Sequence, residues 1–316
     1  LFQTIPEQMK ESQMRSNLFS IRTVMFITMV LATAGVANAQ STRTWVSSGG
    51  DDGAPCSRTA PCKTFAGAIS KTNPGGEISV VNAGAYGTVT INKALTINGN
   101  GTLASVLATS GPAITVQAGV DDVVTLKNLD INGGGEGNNG IRYLSGKALH
   151  VQNVTITGFQ FRGIDASLTA AGQLFTDDVF INNCENGIRT TTTTGVLFVL
   201  LNRTHVVGMT SDGLQILNGA RVTVRDSIFS LNGDEGINVT ATGANAGLNL
   251  ENTILDKNSI GLTQNNPSGT IQISQVMITN NNTGINNVAG FVVSFGNNRI
   301  GGNANNGAPT STPGQQ

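Results

Sequence analysis

The sequence predicts an all-β chain wound as a right-handed parallel β-helix, with three sheets, coils of about 24 residues and a short N-terminal cap helix. Three observations carry that prediction. Gly followed by Ile or Leu recurs at Gly140, Gly163, Gly187, Gly213, Gly236, Gly261 and Gly284, at steps of 23 to 26 residues. A second column, mostly Asn or Asp, runs through Asn128, Asn153, Asp178, Asn202, Asp226, Asn252 and Gln275 with nearly the same step. Apolar residues alternate ahead of this polar column, as in Val124/Leu126, Leu149/Val151, Phe198/Leu200, Val222/Val224, Leu248/Leu250 and Ile271/Ile273, with Leu174/Thr176 the imperfect pair.

Each column has a physical reason. Alternation marks a strand with one buried face. Three residues past the polar position stands another apolar column: Ile131, Ile156, Ile181, Phe229, Leu255 and Ile278. The coil therefore reads strand, polar corner, strand, loop, glycine, strand. One coil cannot bury its own inner face, and stacking at about 4.8 Å gives parallel sheets around a continuous core. The Asn/Asp column becomes a ladder of side-chain amides at one corner. Glycine at the other corner is expected to supply backbone angles that side chains forbid.

Composition agrees. Charged residues are 12% of the 316, about half the usual share of roughly 25%. Glycine is abundant at 40 residues, which suits short strands and tight turns. The formal net charge is −1, with no basic run past residue 23. A nucleic-acid partner, which needs a basic footprint, is excluded on that ground.

Residues 1–39 read as a signal peptide. Arg15 and Arg22 precede an apolar run from Val24 to Ala34, and Ala37-Asn38-Ala39 is a small-x-small cleavage site. The mature chain is expected to begin at Gln40. Met14 would open a signal of ordinary length, making residues 1–13 a gene-start artefact; a retained anchor is the alternative. The expected location is secreted, extracellular or periplasmic, with no membrane attachment after signal removal. In an oxidising compartment Cys56 and Cys62 are expected to form a local disulfide, a metal site being the alternative. Cys184 has no partner nearby in sequence and reads as a small buried residue.

Upstream of the regular repeat, Val89/Ile91, Leu95/Ile97 and Ile114/Val116 suggest early coils. Residues 40–76 are expected to form the N-terminal cap, with a short helix near Phe65 and Ile69 covering the open sheet edge. Residues 77–300 are expected to be the β-helix. Residues 301–316 lack apolar periodicity and are expected to be a disordered tail.

With the coil pattern and the segment Gly50-Asp51-Asp52 … Pro55-Cys56-Ser57-Arg58-Thr59-Ala60-Pro61-Cys62-Lys63-Thr64-Phe65 in view, the chain resembles the pectate-lyase-like superfamily of right-handed β-helix proteins. More narrowly it resembles exported bacterial β-helix repeat proteins of unestablished activity. The superfamily holds pectate lyases, polygalacturonases and phage tailspikes, so the resemblance implies a fold and leaves function to the site.

The polygalacturonase pattern is not met: Gly-His-Gly is absent, and Asp177-Asp178, an Asp pair in the coils, has its second member in the corner column. The best charged set stands two residues past the glycine column. There Arg142, Asp165 and Arg189 should be neighbours on one outer face, either binding an acidic sugar or forming a salt-bridge ladder. A second set, Asp177, Arg225 and Glu251 with Arg221 nearby, is interrupted by Leu201. His205, flanked by Arg203, stands where other coils place Ile, Phe or Leu, and reads as a polar site in the core or a local bulge. Gly135-Glu136-Gly137-Asn138-Asn139-Gly140 matches a dinucleotide pattern but precedes a strand instead of a helix.

Taken together, the sequence favours an exported, noncatalytic β-helix that binds extracellular glycans or another cell-surface component, as monomer or trimer and without cofactor or metal. A lyase or hydrolase acting on acidic polysaccharide is the first alternative, with Ca²⁺ entering only under the lyase version. A structural or tailspike-like adhesion protein is the second. It would show a long apolar stripe on the coil exterior, to which Phe175 and Val199 would contribute.

Overall fold

A computed structural model of the chain describes Met14 and residues 40–242 and 246–314. The signal peptide expected over residues 1–39 lies outside the described residues, Met14 apart. From Ser41 onward the chain is a parallel β-solenoid of about eight turns.

Three columns of pairing run along it. Sheet 1 begins with Ser41–Val46, Thr72–Val80 and Leu95–Asn98. It continues through the first halves of Val123–Asn132, Ala148–Thr157, Gly172–Asn182 and Leu197–Val207, then Ala220–Arg225 and Gly247–Glu251. Sheet 2 begins with Gly84–Ala85 and Ala104–Leu107, takes the second halves of those long strands, then Ile228–Ser230, Ile254–Asp256, Met277–Thr279 and Arg299–Ile300. Sheet 3 runs from Val89–Ile91 through Asn139–Ser145, Arg162–Leu168, Asn186–Thr192, Leu214–Ile216 and Glu235–Thr240. Inward positions of all three sheets form one core, with Leu126, Ile156, Ile188, Phe229, Leu250 and Ile278 among its closed-off residues.

The chain turns between sheets 1 and 2 on residues with positive φ: Asn128, Asn153, Asp178, Arg203, Asp226, Asn252 and Gln275. In the fourth coil the corner residue is therefore Arg203, one place beyond the expected Asn202. Strand pairing agrees, because Asp177 faces Asn202 and Val179 faces Thr204. Several expectations shift with it. The inward pair of this coil is Val199/Leu201, both buried, whereas Phe198 is half exposed. Val206 fills the apolar column, and His205 points outward and is exposed. His205 is thus neither a polar site in the core nor a bulge. Val199 cannot neighbour Phe175 on the outside; Leu200 does. Thr176, the weak member of its pair, is buried against Thr204, their hydroxyls 2.7 Å apart.

The glycine column opens the strands of sheet 3, but for a different reason than expected. None of its members has positive φ. Each glycine lies against the carbonyl of the next one: a Cβ on Gly140 would stand 2.6 Å from the Gly163 oxygen, and one on Gly261 2.7 Å from that of Gly284. Close approach of stacked backbones, not backbone freedom, demands glycine here.

A third corner, between sheets 2 and 3, has its own positive-φ column: Gly158, Asn183, Gly208, Leu231, Lys257, Asn280 and Gly302. The residue after each points inward. It is apolar in early coils (Phe159, Cys184, Met209) and asparagine in later ones (Asn232, Asn258, Asn281). Cys184 is therefore a buried packing residue whose thiol burial pushes up to about 11. The asparagines bond coil to coil. Asn258 Oδ1 accepts from the backbone N–H and the side-chain amide of Asn232, and Asn281 Oδ1 accepts from the backbone N–H of Asn258.

At the N-terminal end, residues 40–76 are not set apart from the coils, since Ser41–Val46 and Thr72–Val80 pair as the first strands of sheet 1. Between them Cys56 and Cys62 are joined by a disulfide. A five-residue helix, Phe65–Ile69, is N-capped by Thr64, whose hydroxyl accepts from the Gly67 N–H. The Asp52 carboxylate accepts from the Lys63 and Thr64 N–H groups and the Thr64 hydroxyl, which ties the Gly-Asp-Asp turn to the helix start. Burial works to raise the Asp52 carboxyl, but the Thr64 and Lys63 bonds prevail and hold it below the usual aspartate value.

Residues 301–314, expected to be disordered, instead complete a further thin coil. Asn305 pairs with Thr283, Ser311 pairs with Val293, and Asn303 extends the buried asparagine ladder by accepting from Asn281. Backbone and amide bonds hold this coil without the apolar periodicity the sequence pattern seeks.

Candidate functional site

Two outer faces collect the polar residues. On sheet 3, Arg142, Asp165 and Arg189 stand side by side as the spacing predicts. Asp165 is buried and takes a bidentate ion pair from Arg189, at 2.9 and 3.2 Å. Ser167 Oγ donates to Asp165 Oδ1 and accepts from Arg189. This pair is satisfied within the protein, which is the salt-bridge reading of the set. Arg142 is exposed and unpaired among the described residues. Arg162, in the rung between Asn139 and Asn186, joins the group, and its buried Nε has no partner. Burial, followed by the charge of Arg189, holds its guanidinium below the usual arginine value.

The same stripe continues into an acidic cluster. Asp212, Asp234 and Glu235 bring carboxylate oxygens within 4.8 Å of one another. Asp212 and Glu235 each immediately precede a column glycine, so the period could have revealed them. Asp212 is buried and accepts from the Gln215 and Asn238 amides and the Glu235 N–H. The Glu235 carboxyl is pushed up to about 7, first by burial, then by its hydrogen bond with Asp212 and the nearby negative charges. Glycoside hydrolysis needs two carboxyls set on either side of the scissile bond; these three instead crowd one another in a single cluster. Glu235 has a folded-state value above its ordinary 4.5, so its contribution to stability is full below about pH 4.5 and is lost as the pH rises through 7. Thermal midpoints measured across that window should fall with pH, and Glu235→Gln should flatten the fall.

On sheet 1, the second predicted set is continuous once the register is read correctly. Asp177, Asn202, Arg225 and Glu251 share one outer rung, with no interruption by Leu201. Asn202 donates to Asp177 at 2.5 Å, Arg225 donates to Asn202 at 2.9 Å, and Arg203 pairs with Asp177 at 2.6 Å. These contacts tie neighbouring coils together. The next outer rung holds His150, Phe175, Leu200, Thr223, Asn249 and Gln272. His150 stacks on Phe175 with ring centres 4.7 Å apart, and burial lowers its imidazole below the ordinary value.

Beyond that rung lies a groove of about 590 Å³. Phe198 and Phe175 form one wall, Ser268 and Thr270 the other, and Arg221, Thr223, Asn249 and Gln272 furnish the floor and rim. Gly247 creates the depth, since it stands in the outer row after Phe198 and Arg221 and contributes no side chain. The side chains of Arg221, Thr223, Asn249 and Gln272 have no intramolecular partner among the described residues. No Asp, Glu or His is among the lining residues. Of its polar residues only Arg221 was singled out from sequence, and the lining is drawn from five different coils.

Comparison with known proteins bears on the fold. No protein-family profile matches the chain, and no curated protein is similar to it in sequence. Solved structures do match. The pectate lyase Pel9A aligns with a TM-score of 0.55 and 16% identity over 81% of this chain and 69% of its own. A rhamnogalacturonan lyase aligns with a TM-score of 0.49 and 14% identity over 76% of this chain and 75% of its own. The Azotobacter vinelandii mannuronan C-5 epimerase A-module gives 0.45 and 12% over 76% of this chain and 91% of its own. The chain has the pectate-lyase-like parallel β-helix fold. Among the described residues no helix is long and apolar enough to cross a membrane.

Proposed function

We propose that the protein is an exported glycan-binding β-helix that holds a polysaccharide segment in the sheet 1 groove without cleaving it. One observation carries this reading. Four polar side chains with no partner of their own line a groove beside two aromatic rings. Rings stack on the apolar faces of sugars, amides and hydroxyls bond their hydroxyl groups, and Arg221 offers a fork for a sugar carboxylate. The lining contains no Asp, Glu or His, so it offers neither the paired carboxyls of hydrolysis nor carboxylate ligands for Ca²⁺, which favours binding over turnover.

Gly247→Phe provides the test. A Cβ there would meet only the Thr270 carbonyl, at 3.8 Å, so the ring can fill the groove without disturbing the coil. Titration calorimetry against polygalacturonate, alginate and a neutral glucan should show binding to an acidic polymer. Gly247→Phe should abolish it, and Arg221→Ala should weaken it by about tenfold or more. Binding that survives Gly247→Phe, or no binding to any polymer, would overturn the proposal. Turnover of the same polymers, with or without Ca²⁺, would instead favour the lyase or hydrolase alternative.

A further inference from the structure

Sheet 2 presents an outer rung unlike the others. In register it runs Ala85, Ser105, Asp130, Thr155, Phe180, His205, Ile228, Ile254, Met277 and Arg299. From Phe180 to Met277, the exposed His205 apart, it is apolar on the outside of the solenoid: Phe180 is 38% exposed, and Ile228, Ile254 and Met277 are part-exposed. Opposite charges, Asp130 and Arg299, bound the eight-coil stretch that contains this apolar part. Neither Asp130 nor Arg299 has an ion-pair partner among the described residues; Arg299 rests only on the Met277 sulfur.

From Asp130 to Arg299 the order of these residues is self-complementary. Turned end over end, Asp130 falls on Arg299, Thr155 on Met277, Phe180 on Ile254 and His205 on Ile228. We propose that sheet 2 is a homodimer interface, at which a second copy of this chain packs antiparallel about a two-fold axis lying between the His205 and Ile228 coils. A two-fold interface is isologous and requires such a palindrome of chemistry. Apolar groups flank the axis and opposite charges close the two ends of the Asp130–Arg299 stretch.

A second observation points to the same place. Leu231 immediately follows the Ile228–Ser230 strand, is 55% exposed and has φ of 58°. The equivalent corners of other coils use Gly158, Asn183, Gly208, Lys257, Asn280 and Gly302. An aliphatic side chain is disfavoured in this left-handed conformation and gains nothing from water there. Beside the two-fold axis it would be covered by the partner. The stretch from Asp130 to Arg299 spans about 34 Å at about 4.8 Å per coil. A single strip of that length is smaller than a standard interface of about 800 Å² per partner, so micromolar association is expected.

Sedimentation velocity on the purified protein, from about 1 to about 100 µM, tests the proposal. A monomer–dimer equilibrium is expected, abolished by Phe180→Asp and by Ile254→Asp. Asp130→Arg or Arg299→Asp alone should weaken dimerisation by about tenfold, and the two together in one chain should restore it. Leu231→Asn should weaken dimerisation while raising the thermal midpoint of the monomer, which a purely structural leucine would not do. A monomer across the whole range, a trimer, a dimer indifferent to Phe180→Asp, or a double charge swap that fails to recover would each overturn the proposal. The groove lies on sheet 1, so glycan binding and dimerisation can fail independently.

Discussion

Gly187→Ala is expected to prevent stable folding, at a cost above about 4 kcal/mol, the range reserved for structural collisions. The added methyl would land on the Gly213 carbonyl oxygen and on a Val206 methyl of the adjoining coil. That oxygen cannot retreat, because it accepts the Ile188 N–H at 3.0 Å. Relief therefore means parting two coils and breaking sheet 3 pairing on both sides of the gap. The same glycine-on-glycine contact recurs along the stack, so strain at one level has no slack level to move into. Gly301→Ala is the matched control. It has nothing within 4 Å of the new Cβ, and a change within about 0.5 kcal/mol is expected. Circular dichroism and urea titration of the two variants should differ sharply; equal stability would refute the close-approach account.

Asn258→Leu is expected to cost about 4 kcal/mol, although leucine would suit a buried position by size. Asn258 is 4% exposed. Its oxygen serves the Asn232 N–H and side-chain amide, and its amide serves the Phe229 carbonyl and the Asn281 oxygen. Leucine would leave these groups buried without partners, each at about 1–3 kcal/mol. Cys184→Ala, at the equivalent inward corner of an apolar coil, removes only packing and should cost less. Urea unfolding of both variants checks the ordering.

The coil, its period and the inward columns were legible because strands alternate and stacked corners repeat. The fourth corner was misread because Asn202 has the residue type that left-handed corners favour, whereas the residue occupying that conformation is Arg203. A pattern built on residue type cannot see an arginine forced into a turn by its neighbours. That one-place slip turned His205 into a core anomaly and hid the rung joining Asp177 to Arg225 through Asn202. The sheet 2 to sheet 3 corner escaped notice because glycine, asparagine, leucine and lysine share it. The acidic cluster was readable in principle, one residue before the glycine column. The groove was not, since its depth comes from the missing side chain of Gly247 and its walls come from coils far apart in sequence.

The constant step between coils also governs how the chain can fold. An inter-coil bond, whether near Gly140 or near Gly284, closes a segment of about 24 residues. The entropy of closing a loop grows only with its own length, so coils added to either end leave that cost per coil unchanged. Folding can then travel as a front, each finished coil serving as the template for the next. The time it takes should scale with the number of coils rather than with the separation of the chain ends.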